Sequence, residues 1–390
     1  MAFVRLICCG FPGPVTSIVT NAVQDIKSLQ LEELGQKFRE LGEPSYRSRQ
    51  IADWLYKRRV ESFENMTDLP HKLHGQLAKL FVFDRLKPVR VLGSRDSTRK
   101  FLFRLADGNL IESVLIPASA ALYGQKSDRR TICISTQVGC AYGCKFCASG
   151  LEGFSRNLRA NEIVDQIIAV ERESGEKIDN VVFMGMGEPL ANLQNVMRAI
   201  QIINAAWGLG IGARHITVST SGLAPQVKKL ADESLQIRLA VSLHGATDEV
   251  RNQIMPINRR YNIETLLSAC DYYVARKKQR LTFEYILIAR INDADDQANL
   301  LAQHARRLSA KVNLIPYNTV EGLEWSRPSR TRQEKFLSIL RARGVAATLR
   351  HEKGHDINAA CGQLRLQTKR EDVASSSRRR RHRQDVRVTI

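Results

Sequence analysis

The sequence predicts an α/β fold: a partial β/α barrel of about six βα units, a small helical domain ahead of it, and a short β element between the two. Three observations predict it. From Thr131 onward, short apolar runs of strand length alternate with segments of helical period. The polar and glycine-rich residues cluster just after the strand-like runs. The chain before residue 126 has another texture, helical to about residue 88 and alternating apolar with polar beyond it.

Residues 1–28 are an unassigned extension. Their opening carries one arginine and an apolar stretch broken by Gly10, Pro12, Gly13 and Pro14, a poor match to a secretory signal. In the 29–88 segment, Leu31, Leu34, Phe38 and Leu41 follow a helical period, as do Ile51, Trp54 and Leu55, and a third helix is expected over 73–80 after Pro70. Lys37, Arg39, Arg47, Arg49, Lys57, Arg58 and Arg59 make it basic, with Trp54 and Tyr56 among them. That pattern fits an RNA-contacting accessory domain and equally a set of solvated helix faces. Within 89–125, runs over 98–103 and 110–116 flank Asp107-Gly108, a hairpin signal. Glu112 sits in the second run among Ile111, Val114, Leu115 and Ile116; it either faces solvent or points into a pocket.

The core spans 126–365. Strands are expected over 131–135, 180–184, 215–219, 238–243, 281–288 and 311–315, with helices over 161–173, 192–205, 224–232, 263–277 and 295–309, then a helix over 331–343 and a last strand over 346–350. Successive βα units imply parallel strands with crossover helices, and ligands bind at the C-terminal strand ends. Those ends read Gly185-Met186-Gly187-Glu188-Pro189, Ser219-Thr220-Ser221-Gly222, Ser242-Leu243-His244-Gly245 and Pro316-Tyr317-Asn318. The 366–390 segment loses periodicity and ends in an arginine run, a disordered basic tail by composition.

The 390 residues are 43% hydrophobic and 25% charged, an ordinary globular balance. Net charge is +19; residues 369–390 contribute +5, which leaves +14 on the body. A polyanionic partner, nucleic acid above all, is expected. No apolar run approaches the ~20 residues that cross a bilayer, so no membrane partner and a cytoplasmic location are expected. Of eight cysteines, Cys8, Cys9 and Cys270 belong to no motif. Cys140, Cys144 and Cys147 form C-x3-C-x2-C directly after the first core strand. Structural zinc usually takes four protein ligands, whereas an iron–sulfur cubane held by three cysteines keeps one iron open for a small molecule.

The C-x3-C-x-Phe-C loop after a first strand resembles the radical S-adenosylmethionine (SAM) superfamily. The 356–364 segment around Cys361, together with Cys133, the 183–190 segment and Met255-Pro256-Ile257-Asn258, resembles the RlmN/Cfr family of RNA adenosine methyltransferases, over about residues 31–364. The resemblance implies one [4Fe–4S] cluster on Cys140, Cys144 and Cys147, and two SAM molecules per turnover. It implies SAM contacts from Gly187, Glu188, Ser219, Ser242, Leu243, His244 and Asn318. Cys361 is implied as the methyl carrier, one SAM methylating its thiol and a second supplying the radical that activates the methyl group. Cys133 is implied as the resolving thiol that forms a transient disulfide with Cys361, and Glu112 as the proton acceptor. Taken alone, His244 reads more simply as a structural histidine. An external electron donor is required, and a monomer is expected.

The Gly187-Glu188-Pro189 turn and Ile315-Pro316-Tyr317 resemble the RlmN pattern. They imply methylation of adenine carbon 2 in 23S rRNA near the peptidyl-transferase centre, and of the tRNA adenosine 3′ of the anticodon. Cfr-like methylation of carbon 8 is the alternative, and a non-catalytic zinc-type RNA-binding module a remote one. Two features depart from the family: Asn358, where Asp is usual, and the arginine-rich tail.

Overall fold

A computed structural model describes residues 24–95, 97–117, 129–151, 153–318, 324–350, 364–368 and 370–371. Cys361, Asn358 and residues 372–390 lie outside the described residues; residues 366–368 and 370–371, expected as the start of a disordered tail, are instead helical, with Thr368 buried and Glu371 paired to Arg90 of the β element at 3.2 Å.

The N-terminal unit is built from amphipathic helices. Helices α1 (Leu31–Glu40), α2 (Arg47–Ala52) and α3 (His71–Leu80) bury Leu34, Phe38, Ile51, Leu73 and Leu77 on one side. The segment after α2 continues as a single π-helical turn over Asp53–Lys57, which buries Trp54, Leu55 and Tyr56 together. The unit starts earlier than residue 29. Strand β1 (Gln24–Asp25) pairs in parallel with β2 (Phe81–Val82), and Ile26 is fully buried. Residues 24–28 therefore belong to the helical unit rather than to an extension.

The second difference concerns the β element. Strands β3 (Lys87–Gly93), β4 (Arg99–Arg104) and β5 (Leu110–Pro117) form an antiparallel meander, turned at Asp107-Gly108 as the sequence predicts. They do not stand apart. Strand β5 hydrogen-bonds to β6 (Arg130–Cys133), so the meander extends the main sheet.

Beyond β6, the short antiparallel pair β7 (Gln137–Gly139) and β8 (Phe154–Asn157) brackets the cysteine loop. The chain then alternates through α4 (Ala160–Ser174), β9 (Asn180–Phe183), α5 (Leu193–Asn204), β10 (Ile216–Thr220), α6 (Ala224–Asp232) and β11 (Arg238–Ser242). It continues through α7 (Asp248–Ile254), α8 (Ile263–Lys277), β12 (Thr282–Leu287), α9 (Asp295–Arg307), β13 (Lys311–Pro316), α10 (Arg330–Ala342) and β14 (Ala347–Leu349). Side-chain caps start several helices: Thr247, Asn262 and Ser329 accept from the backbone N–H three residues on. Helix α7 has no counterpart in the sequence reading, where its seven residues pass as loop.

The strand order is β14-β13-β12-β11-β10-β9-β6-β5-β4-β3. Strands β6 and β9 to β14 run parallel, and β3 to β5 are antiparallel. Strands β14 and β3 do not pair, so the barrel is partial, as predicted. One sheet face packs on helices: Ser113 Oγ of β5 donates to Gln166 Oε1 of α4 at 2.9 Å. Its residues, such as Ile132, Val181, Phe183 and Val218, are fully buried. Residues of the opposite, concave face, such as Val182, Thr217, Ser242 and Asn313, are half-buried.

The helical unit is fastened to the outside of the barrel. Lys27 Nζ pairs with Asp165 Oδ2 of α4 at 2.6 Å, both buried. Arg198 of α5 pairs with Glu33 of α1 at 2.6 Å, and the rings of Tyr56 and Trp207 pack 5.8 Å apart. No described helix is long and apolar enough to cross a membrane.

Candidate functional site

Side chains of residues paired across neighbouring strands project from the same face of a sheet. Val114 pairs with Cys133, so Cys133 shares a face with Val114 and with Glu112 two residues before it. Cys133 pairs with Val182, Thr217 with Val182, Ser219 with Ala240, and Ser242 with Glu284. Glu112, Cys133, Ser219 and Ser242 thus line one concave face. The sequence shows each at or in a strand; only the register shows that they share a side.

Glu112 does not face solvent. It is 2% exposed, and Lys100 Nζ, itself fully buried on β4, lies 2.9 Å from its Oε2. The backbone N–H of Arg365 donates to Glu112 Oε1 at 2.6 Å. Leu364 packs beside it with Leu102 and Leu110, which share that face. The chain leaving the Cys361 segment is therefore anchored on the face that carries Glu112 and Cys133. Cys133 is buried.

Cys140, Cys144 and Cys147 are half-buried on the loop between β7 and β8. Cys140 N donates to Gly153 O at 3.0 Å, Cys147 N to Cys144 O at 3.1 Å, and Lys145 N to Ile254 O of α7 at 3.0 Å. Phe146 packs edge-on against His244 with ring centres 4.6 Å apart. Burial pushes the Cys140 thiol up to about 12 and Cys144 well above the ordinary thiol range, and the neighbouring thiols add to both rises. Three soft donors that oppose one another's ionisation require a compensating cation to become thiolates, which is the donor chemistry of an iron–sulfur centre. Among the described residues, no group of three or more His, Cys, Asp or Glu could hold a single metal ion. A cubane makes a different demand, since it takes each thiolate on a separate iron.

Beside the loop, Gly187 holds φ +96°, and a Cβ there would lie 2.5 Å from Gln137 Cβ. Only glycine fits that close approach. Glu188 is 3% exposed; its Oε1 accepts from Leu190 N at 3.0 Å and its Oε2 from Ser221 N at 2.6 Å. Burial raises its carboxyl above the usual range, against the lowering effect of these hydrogen bonds. Ser219 is 9% exposed, Ser242 half-buried and Leu243 fully buried at the neighbouring strand ends. Asn318, after β13, accepts from Arg327 through Oδ1 at 2.7 Å.

His244 is 3% exposed in a left-handed backbone conformation. Its Nδ1 accepts from Ile286 N at 3.0 Å, and its carbonyl accepts from Asn292 Nδ2 at 2.7 Å. Burial, followed by the nearby Arg251 charge, lowers its pKa to about 3. The imidazole is therefore neutral at physiological pH and its Nδ1 is engaged, as for a structural histidine.

Sequence reasoning missed Lys100, Gln137 and Arg251. Lys100 looks like any strand lysine. Gln137 Oε1 receives Glu188 N at 2.9 Å. Arg251 Nη1 donates to Asn258 Oδ1 at 2.7 Å. Asn258 closes the Met255–Asn258 motif, so that motif held the one signal pointing to the arginine.

Two family models match the chain: the Radical SAM superfamily over residues 134–300, and the ribosomal RNA large subunit methyltransferase N-terminal domain over residues 24–83. The chain is 52% identical to a probable dual-specificity RNA methyltransferase RlmN of Akkermansia muciniphila, over 87% of this chain and 94% of that one. It is 54% identical to a protein described likewise from Opitutus terrae, over 90% and 97%. Among solved structures it is similar to a radical SAM methyltransferase from Sphaerobacter thermophilus, with a TM-score of 0.81 and 45% identity, over 87% of this chain and 98% of that one.

Proposed function

We propose, because the chain belongs to the RlmN family of radical SAM RNA methyltransferases, that it methylates carbon 2 of adenine in 23S rRNA and in tRNA. Its relatives are described as dual-specificity RNA methyltransferases. The net charge of +19 suits an RNA substrate, and cytoplasmic RNA sets the location.

The observation that carries the reading is the concave face shared by Glu112 and Cys133, with the Cys361 segment tethered to it through Arg365. Four residues of sequence separate Cys361 from Arg365, a span of at most about 14 Å. A ring carbon of adenine is not a nucleophile, and ordinary methyl transfer from SAM fails there. A [4Fe–4S] cluster with bound SAM supplies the one-electron chemistry that this carbon requires.

In this reading the protein holds, orients and moves protons. Cys140, Cys144 and Cys147 would hold the cluster. Gly187 lets the backbone approach the cofactor closely, and Glu188, at the same turn, offers a carboxylate to the methionyl ammonium. The strand ends at Ser219, Ser242, Leu243, His244 and Asn318 supply hydroxyl, amide and carbonyl groups to the rest of the cofactor. Cys361 carries the methyl group to the base. Glu112 takes the proton from the methylated carbon, and a Cys133–Cys361 disulfide closes as the carbon–sulfur bond to the product breaks. External thiol resets the pair.

The test is anaerobic incubation of the iron-loaded protein with SAM, a reductant and fragments of 23S rRNA or tRNA, followed by mass spectrometry of the nucleosides. We expect 2-methyladenosine. A methyl group on carbon 8, or a protein that binds stoichiometric zinc and no sulfide, overturns the reading.

A further inference from the structure

We propose that Arg251 is a positioning residue of this centre, tying the ends of β10 and β11 into one wall and setting a fixed positive charge beside the cysteine loop. The inference rests on the reading that Cys140, Cys144 and Cys147 carry a cluster.

Arg251 is the largest fully buried side chain among the described residues, at 0% exposure. Its guanidinium donates four ways: Nε to Leu243 O at 3.0 Å, Nη1 to Asn258 Oδ1 at 2.7 Å, and Nη2 to Ser221 O at 2.6 Å and to Ser242 O at 3.4 Å. Ser221 follows β10, Ser242 ends β11 and Leu243 follows it, so one planar fork spans two strand ends. Lysine has no such geometry. Every acceptor in the set is neutral. Burying a cation without a carboxylate among its acceptors is costly, and Asp248, at the start of the same helix, is the carboxylate whose charge offsets part of that cost.

The surroundings are shaped around this side chain. A Cβ on Gly245 would meet Arg251 N at 2.7 Å, and one on Gly222 would meet Nη2 at 2.8 Å. Helix α7, which carries Arg251, also holds the cysteine loop through Lys145 N and Ile254 O. One residue thus joins the two cofactor-facing strand ends to the loop that would carry the cluster.

The experiment compares full-length wild type, Arg251→Met and Arg251→Lys after anaerobic loading with iron and sulfide. Three quantities are read: metal and sulfide content, cluster midpoint potential by redox titration, and SAM affinity by equilibrium dialysis. We expect Arg251→Met to shift the midpoint to more negative potential and to weaken SAM binding roughly tenfold. Arg251→Lys keeps the charge without the fork, so it holds the wild-type midpoint while SAM affinity still falls. An unmoved midpoint in fully loaded Arg251→Met overturns the proposal. If that variant does not fold, Arg251→Lys decides: wild-type midpoint with weakened SAM binding supports the proposal, whereas wild-type SAM affinity or a lowered midpoint overturns it. Wild type without iron and sulfide overturns both this proposal and the cluster reading beneath it; a loaded wild type isolates the failure to Arg251.

Discussion

Lys100 and Glu112 meet at 2.9 Å across β4 and β5, with 0% and 2% of their side chains exposed. A buried ion pair adds little to stability as a pair, but removing one partner leaves the other uncompensated, at a cost of about 3–5 kcal/mol. Lys100→Met should therefore destabilise the protein by about that amount in urea titrations. The double change Lys100→Met with Glu112→Leu should recover most of the loss while methylation stays absent. Equal stability of the single and double variants would remove the ion-pair account. His244 gives the pH dependence at this scale. Its folded pKa, about 3, lies below the unfolded value of 6.5, so the unfolded state binds the proton more readily. Its contribution is complete above 6.5 and is lost as pH falls toward 3. From this residue alone, stability at pH 5 should be about 2 kcal/mol lower than at pH 7. His244→Gln should flatten that slope in denaturation measured at both pH values; an unchanged slope would assign acid sensitivity elsewhere.

At the scale of elements, the strand-to-loop turns carry the site, and glycines show where space is decisive. Gly187→Ala would drive a Cβ into Gln137 at a residue of φ +96°. We expect SAM affinity to fall at least about tenfold, measured by equilibrium dialysis; wild-type affinity would remove Gly187 from the cofactor's approach. Gly75, inside α3, has nothing within 4 Å of an added Cβ. Gly75→Ala should raise stability by about 0.5–1 kcal/mol, because alanine loses less conformational freedom on entering a helix. The periodic elements were legible: the six predicted core strands and the last one all form, because parallel strands buried on their helix face keep long apolar runs. Helix α7 was not legible, since seven residues carry too little period. The pairing of β5 with β6 was not legible either. It is a non-local choice between edges that no local pattern encodes, and it decides that Glu112 and Cys133 share a face.

For the whole molecule, a helical unit is fastened to the outside of a partial barrel through Lys27–Asp165 and Arg198–Glu33. The sequence displayed the basic, helical character of that unit but not its attachment, because Lys27 sits in a stretch without period. Charge acts at this scale too. Deleting residues 369–390 removes +5 of the +19. That deletion should lower the salt dependence of RNA binding without abolishing methylation, as titrations at two salt concentrations would show. The thiol loop was legible from spacing alone; the roles proposed for Cys133 and Cys361 rest on resemblance, since nothing in either residue's neighbourhood in sequence marks a reactive thiol. Cys133→Ala should complete methyl addition and fail at release, leaving RNA covalently bound to the peptide that contains Cys361. Mass spectrometry of that peptide after anaerobic turnover measures this directly. We expect an adenosine adduct on Cys361 and no free 2-methyladenosine; free product at the wild-type rate, with Cys361 unmodified, would contradict the proposed release step.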